Sequence, residues 1–132
     1  MANRRMISKS ISTSRRLSRV SRIAALLFTW LIPHCDDGGN MDGEADLVKG
    51  IVFPLGLETP DEIDNLLTEL REIGLISFYF SKGKDNEKRR YLHVNKWESH
   101  QTLRTDRMDY RYPTYGKPKV NRTATAGMLK RR

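Results

Sequence analysis

The stretch from Thr59 to Gly74 constrains the fold most. Thr59 is a capping residue, Pro60 suits the first helical position, and Glu62, three residues after Thr59, completes a capping box. Ile63, Leu66, Leu67, Leu70 and Ile73 follow at three- and four-residue steps, and Gly74 is a natural stop just past the last turn. The pattern predicts a helix over residues 60–73 with one apolar stripe. A single amphipathic helix has nothing to bury that stripe against, so the rest of the chain must supply the surface.

The flanking segments do so in order. Leu17, Val20, Ile23, Ala24, Leu27, Phe28 and Leu31 form a second helical stripe, stopped by Pro33, and predict a helix over about residues 17–31. Asp36 to Asn40 is turn chemistry. Ala45 to Phe53 reads as a short, weakly amphipathic helix closed by Pro54 and Gly56. Ile76, Phe78 and Phe80 alternate with Ser77, Tyr79 and Ser81 as in a strand, and Tyr91 to Asn95 reads as its antiparallel partner across a long basic loop, Ser81 to Arg90. Trp97 is expected to anchor the hairpin on the helices, and Trp30, Tyr79 and Tyr91 are also read as core. Past Gln101 the apolar content falls and Pro113, Gly116 and Pro118 interrupt any element. The predicted organisation is a basic arm over 1–16, a domain over 17–100, and a basic, mostly disordered tail over 101–132. The fold class expected is mainly α with a small β-hairpin: a winged helix-turn-helix of three helices plus a two-stranded antiparallel wing.

Charge points to a class of partner. The 132 residues fit one domain, with a net charge of +8 that is unevenly spread. Residues 1–35 hold seven bases and no acid, residues 36–75 carry a net −9, and residues 76–132 a net +10. Basic flanks of this kind suit a polyanion. No apolar run approaches the roughly 20 residues of a membrane span, so no membrane partner is expected. The residues before Asp36 do not make a small-x-small cleavage site, which argues against a secretory signal. One cysteine, Cys35, excludes an internal disulfide framework and favours a reducing compartment such as the cytoplasm. His34, Cys35, Asp36 and Asp37 cluster, but no second Cys or matched His pair completes a zinc set. The chain has no P-loop, dinucleotide fingerprint or H-E-x-x-H motif. The expectation is a non-enzyme with no cofactor and no metal.

Several segments together carry a resemblance. Arg4-Arg5-Met6-Ile7-Ser8-Lys9-Ser10-Ile11, Leu31-Ile32-Pro33-His34 leading into Asp36-Asp37-Gly38, Val52-Phe53-Pro54, and Asn95-Lys96-Trp97 with His100-Gln101 resemble, in order and spacing, the N-terminal winged-helix domain of phage replisome organizers, the DnaD-like replication initiation proteins. The resemblance spans about residues 4–113. It implies a DNA-binding domain in a bacterial host cell that helps assemble a replication complex, with replication proteins as partners.

The residues divide into two candidate surfaces. For DNA, the hairpin loop offers Lys82, Lys84, Lys88, Arg89 and Arg90. The N-terminal segment offers Arg15, Arg16, Arg19 and Arg22, with Arg15, Arg19 and Arg22 at helical spacing as one basic ridge, and Lys96, Arg104 and Arg107 add to these. Asn65, Thr68 and Arg71 on the third helix can reach base edges. The same helix carries Asp61, Asp64, Glu69 and Glu72, which phosphate would repel, so this acidic face is expected to meet a protein or a second copy of the chain. Three readings stay open: a duplex-DNA binder of a replication system (with single-stranded DNA as a second ligand to test), a protein-interaction module of a replisome, and a phage transcriptional regulator on the same fold.

Overall fold

The computed structural model describes residues 3–83, 85–103 and 108–116. Its helices are α1 (Arg22–Leu31), α2 (Ala45–Val52), α3 (Pro60–Glu72) and α4 (Trp97–His100); its strands are β1 (Asn40–Asp42), β2 (Ile76–Lys82) and β3 (Lys88–Val94). The fold is therefore mixed: helices packed on a three-stranded antiparallel sheet in the order β1-β3-β2, not a two-stranded hairpin. The extra strand overlaps the end of the expected turn at Asn40 and takes in Met41 and Asp42, for which no element is expected. Gly39, at φ +81°, packs on the Trp97 ring and turns the chain so that Met41 lies opposite Leu92, fully buried. Three residues are too few to show a strand period, so the sequence carries no signal for β1.

α3 forms as its caps dictate. Thr59 accepts from the Glu62 N–H and the Glu62 carboxylate accepts from the Thr59 N–H, while Gly74 takes φ +80° just beyond the helix. Ile63, Leu67 and Leu70 are fully buried against Ala24, Leu27 and Leu31 of α1 and Val48 and Val52 of α2. Trp97 closes the core, with its indole N–H donating to Asp37 O at 3.0 Å.

α1 begins five residues later than its apolar period predicts. Serines at 14, 18 and 21 explain the delay: the Ser14 hydroxyl accepts from Leu17 N–H, the Ser18 hydroxyl donates to Arg15 O, and Ser21 caps α1 by accepting from Ala24 N–H. Such local bonds compete with a continuous helix and leave only a 3-10 turn at Leu17–Arg19. Trp30 also departs from expectation. It is half exposed, meeting the edge of Phe53 rather than filling the core.

The two ends are not separate from the domain where the structure describes them. The Arg5 side chain is buried, its guanidinium donating to Cys35 O and Asp37 Oδ1 and lying over Trp97. Residues 108–116 cross the outer face of the sheet as a strap. Asp36, fully buried, accepts four backbone N–H groups: Gly38 and Asn40 on Oδ1, Arg111 and Tyr112 on Oδ2. Tyr79 donates to Pro113 O, Tyr112 meets Tyr91, and Tyr115 stacks on His93 with centroids 4.4 Å apart. Paired carboxylates and tyrosines bind this segment, which a low apolar content conceals.

Candidate nucleic-acid interface

Strand register sorts the hairpin side chains. Ile76, Phe78, Phe80 and Lys82 lie opposite Val94, Leu92, Arg90 and Lys88 respectively. All eight share one face, since alternate residues point the same way. That face runs from core at Ile76 and Val94, through Phe78 and Phe80, to cations at the tip. The opposite face carries Ser77, Tyr79, Ser81, Arg89, Tyr91 and His93 and is crossed by the strap.

The long basic loop expected between the strands is shorter than its charges suggest. β3 starts at Lys88, so Lys88, Arg89 and Arg90 are strand residues with fixed directions. Arg90 is tied into the framework. It donates to Gly43 O at 2.8 Å and to Asp64 Oδ1 at 2.6 Å, and its guanidinium lies 4.1 Å from the Phe78 centroid. Arg89 points to the other face, pairs with Asp85 at 2.6 Å, and is half exposed. The Asp85 carboxyl is held below its ordinary range by the Glu87 N–H and by Arg89. Lys82 and Lys88 are exposed at the tip, with Lys88 Nζ 5.5 Å from the Phe80 centroid. Lys84 lies outside the described residues, as do Arg104 and Arg107.

α3 meets this face through its side nearest the hairpin. Arg71 lies over Phe78 at 5.7 Å and is exposed. Asn65 is exposed, whereas the Thr68 hydroxyl is turned inward to donate to Asp64 O. Arg71, Lys82 and Lys88 have no ion-pair partner among the described residues. They and the aromatic pair Phe78 and Phe80 make a cation-aromatic surface bounded by α3 and the hairpin.

The remaining candidates are placed elsewhere. Arg15, Arg16, Arg19 and Arg22 are exposed, but only Arg22 is in α1, so Arg15, Arg19 and Arg22 do not form a helical ridge. Arg16 reaches Gly74 O at 3.4 Å, past the end of α3. Lys96, left-handed at φ 59°, borders a cleft of about 760 Å³ with Ser77, His93 and Tyr115, on the strap side of the sheet.

The acidic face of α3 is partly spent inside the molecule. Both Glu69 carboxylate oxygens accept from Ser21, one from its N–H and one from its hydroxyl, at 2.9 and 3.0 Å. Asp64 holds Arg90. Asp61 and Glu72 stay exposed, Asp61 in the first turn where a negative charge suits the helix dipole. A different surface is apolar and open: Leu55, 96% exposed, borders a groove with the exposed Leu26 and Trp30 of α1, and Leu57, two residues on, is 97% exposed.

Titration and metal chemistry add little. Burial pushes the Cys35 thiol far above its ordinary value, which makes it a packing residue rather than a nucleophile. At Asp37, burial, which raises a carboxyl, is outweighed by the Asp109 N–H and Arg5, and the group is lowered. Among the described residues no cluster of His, Cys, Asp and Glu could hold a metal ion, and no helix is long and apolar enough to cross a membrane.

Phe80, on the same strand face as Phe78, is exposed and is not among the expected site residues; its signal in the sequence is the cationic company at Lys82, Lys88 and Arg90, which marks where that face leaves the core. Comparison with protein-family models, curated proteins and solved structures returns no match.

Proposed function

We propose that this chain is a winged helix-turn-helix DNA-binding protein of a phage or prophage replication initiation system, holding DNA mainly through phosphates. The observation that carries the reading is the single surface on which Arg71 of α3 and Lys82 and Lys88 of the hairpin stand exposed together. The order helix, short strand, two helices, hairpin suits a wing: β1 steadies β3 from the side away from β2 and leaves the tip projecting beside α3. Point charges with reach suffice for phosphate contact and impose little base preference. The role in replication, the replication-protein partners and the bacterial cytoplasm rest on the resemblance carried by the sequence segments above.

The test is a fluorescence-anisotropy titration with random duplex DNA at two salt concentrations. Binding is expected to weaken by roughly a hundredfold or more between about 50 and 200 mM salt, as several neutralised phosphates require. No binding at low salt to duplex or to single-stranded DNA would overturn the reading.

A second reading, a protein-interaction module, has its own observation. It is not the acidic α3 face, where Glu69 and Asp64 are engaged internally, but the apolar surface at Leu55, Leu57 and Trp30. Adjacent exposed apolar side chains of this size are a common mark of protein contact.

A further inference from the structure

We propose that the α3-hairpin surface takes single-stranded DNA, with Phe80 as a platform on which an unpaired base stacks. The inference rests on the DNA-binding reading and adds the form of DNA that the surface fits.

Phe80 is 59% exposed although it lies on the strand face that forms the core further along. The register leaves no alternative placement: it sits directly opposite Arg90, between the Phe78–Leu92 pair and the Lys82–Lys88 pair. A slip by one residue would carry Ile76 and Phe78 out of the core with it. The ring therefore stands at the boundary where apolar packing ends and cations begin. Lys88 Nζ is 5.5 Å from its centroid, while Arg71 and Arg90 gather on the next ring inward, Phe78. Asp64 of α3, a carboxylate that reaches this surface, is paired with Arg90.

A cationic surface alone fits any polyanion. An exposed aromatic ring within it narrows the choice. In a duplex the base faces are stacked on one another and the surface presents sugar, phosphate and base edges, so a ring lying among phosphate contacts meets no open base face. A single strand offers base faces and phosphates together, and grooves of this type combine positive charge with aromatic rings on which bases stack. Base stacking is tolerant of sequence because every base has such a face.

The test compares the full chain with Phe80→Ala and Phe80→Trp on a labelled dT oligonucleotide and on a random duplex, with thermal unfolding followed for each protein. Phe80→Ala is expected to weaken dT binding by roughly five- to a hundredfold, the range for losing one stacked base, with a clearly smaller loss on duplex and the unfolding midpoint unchanged. Phe80→Trp is expected to keep dT affinity, and its added indole emission, measured against the native Trp30 and Trp97, to be quenched by dT and not by duplex. Equal losses on both DNAs, or none on either, would overturn the inference. So would a wild-type chain that binds duplex but not dT, which leaves the duplex reading standing. A wild-type chain that binds neither overturns both. Should Phe80→Ala fail to fold, the Trp variant decides: an unquenched indole on bound dT overturns the proposal.

Discussion

Two short runs of like charge, Asp36–Asp37 and Lys88–Arg90, look similar in the sequence and do opposite work. Asp36 and Asp37 lie under the strap, where main-chain N–H groups from their own turn and from the distant strap converge on their carboxylates. Lys88 and Arg89 stay largely in solvent, and Arg90 alone of its run is drawn inward by Asp64 and Gly43 O. The difference lies in the supply of partners. A carboxylate can be satisfied by backbone N–H groups, which every turn offers, so acids are easily built into a framework. A cation needs a carbonyl or carboxylate brought to it; at the hairpin tip Asp85 serves Arg89, and Lys82 and Lys88 have no ion-pair partner among the described residues.

The comparison breaks first at Asp36. Replacing it with Ala would strand four main-chain N–H groups, one buried and three part-buried, and loosen the strap on the turn. Asp36→Ala is expected to cost roughly 3–5 kcal/mol, since each unsatisfied buried donor costs about 1–3 kcal/mol and part of the cost is relieved by water. Urea unfolding measures it. A loss below about 1 kcal/mol would mean that residues 108–116 are not held by this carboxylate.

Arg90 sharpens the contrast within the basic run. Arg90→Ala removes a partly buried pair with Asp64, a bond to Gly43 O and a stacked contact with Phe78. It is expected to destabilise by about 1–2 kcal/mol, the sum of one charged hydrogen bond and one cation-π contact discounted for exposure. The slope of log affinity against log salt should be unchanged, because Arg90 is already neutralised. A slope that falls by about 1 would instead make Arg90 a phosphate ligand.

The same contrast explains what was legible beforehand. α3 was readable almost to the residue because its caps, stripe and stop signal are all local, and α2 and the hairpin followed from periods of three to four and of two. The turn at Asp36 was readable as a turn but not as an anchor, because its partners Arg111 and Tyr112 are 75 and 76 residues away. β1 was too short to show a period, and the serines that break the first helix stand on its polar side, where an apolar count does not see them. In the candidate surface, charge drew attention to the hairpin but did not show that Arg89 is paired with Asp85 and Arg90 with Asp64. Periodicity does not say which cation meets a carboxylate, nor where along a strand the core ends and Phe80 comes into solvent.

The smallest effect on stability should accompany the clearest effect on binding. Lys82 and Lys88 face each other across the strands at the tip, like charges in register with no ion-pair partner among the described residues. Removing them relieves a mild repulsion, so the Lys82→Ala, Lys88→Ala double variant is expected to unfold within about 0.5 kcal/mol of the parent. On DNA it should lower the salt slope by about 2, one phosphate for each lysine, with affinity at low salt falling by roughly tenfold or more. The Arg90 and lysine variants then form a pair: one loses stability and keeps its salt slope, the other keeps stability and loses slope. If both lose slope equally, the ion pair with Asp64 does not keep Arg90 from phosphate, and the division between framework and surface charge fails within the hairpin. If the double variant keeps its slope, the phosphates are met elsewhere, and the exposed arginines 15, 16, 19 and 22 are the next to be replaced.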